Sequence, residues 1–96
     1  MTVDDPAALR MAAGRLEALA TDLDKRGFAV RVLATGSKLR MWVQNPAARE
    51  CSDAIYAWPD GDGDWWLWWS WEAKIAPVQE VREAADTIAC CLTPHE

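Results

Sequence analysis

The sequence predicts an α+β domain with the order α-β-β-β-β-α, in which two helices pack on one face of a four-stranded antiparallel meander. Two observations lead to it. Apolar residues recur at helical spacing near both ends of the chain, and apolar and polar residues alternate in four segments between them. Short connections favour antiparallel pairing, and two amphipathic helices need a sheet face to cover. The 96 residues suffice for a single domain, 1–96, with one core.

The first helix is predicted over residues 6–26, after a short tail at residues 1–5. An aspartate before it, Asp4 or Asp5, can cap the helix, and Pro6 suits its first turn. Apolar residues at steps of three and four form its buried stripe: Leu9, Ala12, Leu16, Leu19 and Leu23.

Alternation after Gly27, which is placed to end the helix, predicts a β-hairpin with strands at about 28–34 and 38–43. Gln44-Asn45-Pro46 then ends the second strand. Residues 47–50 are expected to form one helical turn, and a third strand is predicted at about 53–58.

The fourth strand is predicted at about 64–71, and the second helix at 77–92, where Pro77 is tolerated as the first helical residue. Five of the seven Trp residues lie between Trp65 and Trp71. Because a strand sends alternate side chains to opposite faces, both faces of this strand carry Trp. The buried stripe of the second helix comprises Val78, Val81, Ala85, Ile88 and Leu92.

The alternation also assigns each strand residue to a sheet face. The inward face is expected to carry Phe28, Val30, Val32, Leu39, Met41, Val43, Ile55, Trp65, Leu67 and Trp69. The outward face is expected to carry Arg31, Leu33, Arg40, Trp42, Tyr56, Trp58, Trp66, Trp68 and Ser70. A shift of one residue in the third strand would exchange Tyr56 and Trp58 with Ile55 and Ala57.

The outward face is large enough to be functional. A Trp side chain covers roughly 150 to 250 Å², so four half-exposed Trp residues would present about 300 to 500 Å², the size of a functional patch on a monomer. Two structural alternatives stay open. Arg31 and Arg40 could cover the rings by cation–π stacking, or sheet twist could fold the rings onto one another.

Charge and composition restrict the function. A net charge of −5 disfavours duplex nucleic acid and anionic membranes as partners. There is no apolar run of membrane-spanning length, and Asp4 and Asp5 stand where a signal peptide needs basic residues, so a cytoplasmic protein with reduced thiols is expected. Cys90 is expected on the solvent side of the second helix and unreactive.

No catalytic or metal site is predicted. Asp60, Asp62 and Asp64 have the spacing of a calcium loop, but Trp65 stands where that loop needs Gly and Trp71 where it needs Glu. The lone histidine, the serines and the turn glycines lack the neighbours that catalysis or phosphate binding requires. We therefore expect no enzyme activity, no cofactor and no bound metal.

Three segments carry a resemblance to known sequences: Met41-Trp-Val-Gln-Asn-Pro-Ala-Ala-Arg-Glu50, Trp66-Leu-Trp-Trp-Ser-Trp71 and Ile75-Ala-Pro77. The chain resembles a group of small uncharacterised proteins from high-GC actinobacteria. The similarity extends from the first helix to the second and implies no activity.

The sequence favours a non-enzymatic interaction module, either a homodimer or the subunit of a small complex, that docks through the outward face. Trp42, Trp66, Trp68 and Arg40 are the expected hot spots, since Trp and Arg dominate interface energies. A variant of this hypothesis resembles acidic export chaperones, by analogy of fold alone. The other hypotheses are a small apolar or peptide ligand in an aromatic cleft, and single-stranded nucleic acid stacked on the sheet.

Overall fold

The computed structural model describes residues 5–35 and 38–94. In these residues the chain forms two α-helices and one antiparallel sheet of five strands, which lie in sequence order. The α+β class and the position of the sheet between the two helices in the sequence are confirmed, whereas the prediction of four strands is wrong. The elements are α1 Pro6–Lys25, β1 Ala29–Thr35, β2 Lys38–Asn45, β3 Ala48–Pro59, β4 Trp65–Trp69, β5 Lys74–Pro77 and α2 Val81–Cys91.

The fifth strand occupies residues that the sequence pattern had assigned to a connection and to the start of a helix. Within β5, Ala76 pairs with Leu67 and Pro77 pairs with Trp66. Proline is acceptable here because β5 is an edge strand, where one row of backbone N–H groups has no partner strand. The second helix consequently begins at Val81 rather than at residue 77.

The helical turn predicted at residues 47–50 is also wrong. Pro46 and Ala47 form a tight turn instead, and β3 begins directly at Ala48. The Asn45 side-chain oxygen accepts a hydrogen bond from the Ala47 backbone N–H at 3.0 Å, which stabilises the turn. The β2–β3 hairpin is therefore longer than the alternation indicated.

Alternate strand residues and both helices contribute to one hydrophobic core. Ile55 is fully buried and pairs with Met41 and Trp69, so the register predicted for the third strand is correct. The buried residues of the core are Ala12, Leu16, Leu19, Ala20, Leu23, Phe28, Leu39, Met41, Val43, Ile55, Ala57, Leu67, Trp69, Ala76, Val78, Ala84, Ala85, Ile88 and Leu92, and the partly buried residues packed against it include Leu9, Val30, Val32, Trp65 and Val81.

Local hydrogen bonds fix the ends of α1. The Asp5 carboxylate accepts from the Ala7 N–H at 3.1 Å and caps the first turn. At the other end Gly27 has φ +95°, and the Phe28 N–H donates to the Leu23 carbonyl at 3.1 Å. This is a Schellman termination, which needs a left-handed residue after the helix, and Gly27 ends the helix as predicted.

Arg26 joins the two helices. Its Nε lies 2.8 Å from Asp22 Oδ1, and its Nη2 lies 2.7 Å from Asp86 Oδ1 on α2. The hydrogen bonds to Asp22 and then Asp86 raise the pKa of the Arg26 guanidinium above its ordinary value. Neither helix in the described part of the chain has the length and apolarity needed to cross a bilayer.

Candidate functional site

The sheet face opposite the buried strand residues carries most of the exposed aromatic side chains, and we call it the aromatic face. The seven residues predicted as binding residues all lie on it. Its members are Arg31, Leu33, Lys38, Arg40, Trp42, Ala54, Tyr56, Trp58, Trp66, Trp68 and Lys74.

Cross-strand pairing arranges these side chains in rows that run across the sheet. Trp58 of β3 pairs with Trp66 of β4, and on the other side of the central row Trp42 of β2 pairs with both Arg31 and Ala54. Directly paired residues share a face and have Cβ atoms within about 5.5 Å in regular pairing, so the side chains of each row are neighbours on the face. The central row reads, from β1 to β5, Leu33, Arg40, Tyr56, Trp68 and Lys74.

Exposure differs between the two halves of the aromatic face. Trp42 and Trp58 are 43% and 42% exposed, and Tyr56 is 36% exposed. Trp66 and Trp68 are only partly exposed, although they point to the predicted face. On the aromatic face, the more accessible rings therefore lie on β2 and β3 rather than on the Trp-rich β4.

Lys74 explains why the β4 rings are less accessible. Its Nζ lies 4.2 Å from the centroid of the Trp66 ring and 5.6 Å from that of the Trp68 ring. The Trp68 indole N–H also donates to the Trp58 carbonyl at 2.8 Å. Covering of the rings by Arg31 and Arg40 was one of the alternatives left open by the sequence, but the cation–π contacts found within the described residues come from Lys74.

The sequence contained a signal for Lys74. It is the single basic residue between Arg49 and Arg82, and it follows the Trp-rich segment by a few residues. Without the fifth strand there was no reason to place it on the sheet. Its pairing with Trp68 in β5 brings the ammonium over the rings.

Asp60 binds the same ammonium group of Lys74 and also stabilises the β3–β4 loop. Its Oδ2 accepts from Lys74 Nζ at 3.1 Å, and its Oδ1 accepts from the backbone N–H groups of Asp62 and Asp64 at 2.9 and 3.1 Å. Burial favours the neutral carboxyl, but the Lys74 ion pair and these two amides outweigh it and hold the pKa of Asp60 below its ordinary value. The carboxylate at the first position of the calcium-loop spacing therefore already binds an ammonium and two amides of this chain.

The β4–β5 loop has the same backbone form as the β3–β4 loop. In both, a residue of positive φ precedes the second strand: Gly63, at φ +85°, in the first loop and Glu72, at φ +66°, in the second. Ser70 begins the second loop, and its Oγ donates to Asp53 Oδ1 at 2.5 Å. Trp71 lies in this loop rather than in the predicted strand, and its ring stacks on that of Trp69 with a centroid distance of 4.9 Å.

A shallow open groove runs over β3 and β4 on the aromatic face. It encloses about 640 Å³ and its lining includes Tyr56, Trp58 and Trp68. A second depression of about 410 Å³ lies on the other side of Tyr56 and Trp58, against Arg40 and Lys38. The remaining residues that line the larger groove are Pro59, Asp60, Gly61, Trp69, Ser70 and Glu72.

Outside this face, Cys90 and Cys91 are exposed on α2, as was predicted for Cys90. Residues 36 and 37, between the two strands of the predicted hairpin, residues 1–4 of the predicted tail, and the single histidine, His95, lie outside the described residues.

Comparison of the chain with protein-family models, with curated proteins and with solved structures gave no significant match. The resemblance to small actinobacterial proteins therefore stays a prediction, and the function has to be argued from the geometry.

Proposed function

We propose that the protein is a non-enzymatic interaction module that docks another protein surface through the aromatic face. One observation carries the proposal: Trp42 and Trp58 are each more than two-fifths exposed, although both lie in the interior of a regular sheet. Large contiguous apolar surface on a small protein is typical of an interaction site. Trp, Tyr and Arg are the residues that contribute most to interface energies, and Arg40 and Tyr56 complete the same patch.

The proposal includes the packing of both helices on the opposite face. In support of this, the buried residues of α1 and α2 belong to one cluster with the inward strand residues, and α1 also contacts α2 directly. With both helices on that side, no element formed by residues 5–35 and 38–94 lies over the aromatic face. A cytoplasmic location is part of the proposal, since the exposed thiols of Cys90 and Cys91 fit a reducing compartment.

Photo-crosslinking in the native host tests the docking proposal. A photoreactive phenylalanine analogue is placed at position 42 or 58, and the crosslinked products are identified by mass spectrometry. Met11 provides the matched control site, because it is 42% exposed on α1 and lies outside the aromatic face. We expect a defined protein adduct from positions 42 and 58, absent at position 11 and reduced by Arg40→Glu. Equal, unspecific products at all three positions would contradict the proposal.

The larger groove favours a second candidate, the binding of a small apolar ligand or a short peptide. Its volume of about 640 Å³ lies in the range of ligand sites, and its floor is aromatic. A photo-adduct of low molecular mass at position 58, with no protein adduct at position 42, would favour this candidate over docking.

A further inference from the structure

We propose that the partner of the aromatic face is a second copy of this chain, packed face to face about a two-fold axis that runs along β3. The inference rests on the proposed function and specifies its partner. The distribution of charge, the pairing register of the strands and the area of this face support such a dimer.

The two halves of the sheet carry opposite charge. The β1–β2 hairpin, residues 29–45, contains Arg31, Lys38 and Arg40 and no acidic residue. The segment from the β3–β4 loop to the end of β5, residues 60–77, contains four acidic residues and a single base, Lys74, which is already paired with Asp60. One half is therefore positive by three charges and the other negative by three, and β3 separates them.

A two-fold axis along β3 places each half against the opposite half of the second copy. The axis exchanges β2 with the partner's β4 and β1 with the partner's β5, because these strands are equally far from β3. In the central row, Arg40 and Trp68 both pair with Tyr56, one on each side of it. Arg40 of one copy would therefore face Trp68 of the other copy across the interface. Arg40 then lies over an indole ring and the two Tyr56 side chains meet near the axis.

The same two-fold rotation brings Arg31 of one copy close to Glu72 of the other. Arg31 lies in the row of Trp42 and Ala54, and this row meets the β4–β5 loop, since Ile55 pairs with Trp69, the last residue of β4. Glu72 is exposed in that loop. The symmetric dimer would thus contain this ion pair twice.

The other face-to-face arrangement, with the axis across the strands, sets each strand against its own copy. Arg40 would then lie near the partner's Arg40 and the acidic loops would remain unpaired. Like charges directly opposed are unfavourable at an interface, so the charge distribution selects the axis along β3. Two such sheets would pack about 10 Å apart with strands within roughly 30° of each other.

The area suits a weak dimer. Five strands at about 4.8 Å spacing and about 3.3 Å per residue along an eight-residue strand give a flat footprint of roughly 500 Å² per copy. The two copies together reach about 1,000 Å², the low end of specific interfaces. We therefore expect a dissociation constant in the micromolar range.

Complementary charge reversal tests this arrangement by sedimentation equilibrium over a concentration series. Arg31→Glu and Glu72→Arg should each weaken the homodimer about tenfold or more, since each repeats a like-charge contact twice. An equimolar mixture of the two variants should form a heterodimer with an affinity within about threefold of the wild type, because one ion pair is then native and the other is restored with reversed sign. Arg15→Glu, the same charge change at an exposed position of α1, is the control and should leave self-association unchanged.

The outcomes separate this inference from the proposed function. A wild type that stays monomeric at several hundred micromolar, or a mixture that does not restore association, overturns the two-fold arrangement. If the crosslinks from positions 42 and 58 then identify a different protein, the docking proposal stands with another partner. Crosslinks to the chain itself, together with restoration in the mixture, support both. Circular dichroism of each variant verifies that it is folded.

Discussion

Glu72 has a backbone conformation that a glycine would adopt more easily. At φ +66° its Cβ is crowded against the backbone, which costs an L-residue roughly 1 to 2 kcal/mol. Gly63 occupies the equivalent position of the preceding loop without that cost. Residues held in such conformations cluster at functional sites, and Glu72 lines the groove on the aromatic face.

Exchanging residue types at these two positions should have opposite effects. Glu72→Gly should stabilise the monomer by about 0.5 to 1 kcal/mol, because relief of strain exceeds the entropic cost of glycine. Gly63→Ala should destabilise it by about 1 kcal/mol. A Cβ at Gly63 would meet no atom within 4 Å, so this loss would come from the backbone alone. Urea unfolding at low protein concentration measures both, and a loss on Glu72→Gly would contradict the assignment of strain.

Asp60 makes stability depend on pH in the acid range. Its pKa is lower in the folded protein than the ordinary value of 3.8, so the unfolded chain takes up a proton first as the pH falls. The stabilisation is fully present well above pH 3.8 and is lost as the pH falls through the folded pKa.

We expect Asp60→Asn to reduce the slope of unfolding free energy against pH below about pH 4. Lys74→Met should have a smaller effect on that slope, because the amides of Asp62 and Asp64 still bind the carboxylate. Urea unfolding at a series of pH values gives the slopes. An unchanged slope in Asp60→Asn would show that other groups dominate the acid response.

At the scale of elements, the sheet divides its Trp residues between two environments. Trp69 is 6% exposed in the core, whereas Trp42 on the aromatic face is 43% exposed. Ile88 and Leu16 are fully buried and anchor α2 and α1 in the same core. The two environments predict different energetic roles for chemically identical side chains.

Truncation of the core residues should be costly. Leu16→Ala, Trp69→Ala and Ile88→Ala should each lower the free energy of unfolding by about 2 to 5 kcal/mol, through lost burial and the cavity left behind. Trp42→Ala removes more atoms than Leu16→Ala, but from an exposed side chain. It should lower the free energy of unfolding by roughly 1 kcal/mol or less. Chemical denaturation measures the free energy of unfolding of each variant. Equal losses of stability on truncation of Trp42 and Trp69 would mean that Trp42 has a structural role.

At the scale of the whole molecule, one face of the sheet contributes to the hydrophobic core, and the other, the aromatic face, has its own charge pattern. The net charge of −5 hides two sheet regions of opposite sign, which only the strand order brings side by side. In the docking that we propose, this segregation, together with the exposed rings of Trp42 and Trp58, favours one orientation of the partner.

Local patterns in the sequence determined the helices, the alternation of faces and the predicted binding residues. Leu16 and Ile88 follow helical spacing, and Met41 and Ile55 follow strand alternation, because burial acts on every residue according to its local period. The resulting prediction placed Trp66 and Trp68 on the correct face.

Tertiary structure alone decided the rest. β5 is a strand only because Leu67 and Trp66 offer it an edge to pair with, and the four residues of Lys74–Pro77 carry no period of their own. That pairing in turn sets Lys74 over the β4 rings and leaves the open aromatic surface over β2 and β3. A short edge strand gains its stability from contacts distant in sequence, so neither it nor the cation that it carries can be read from local spacing.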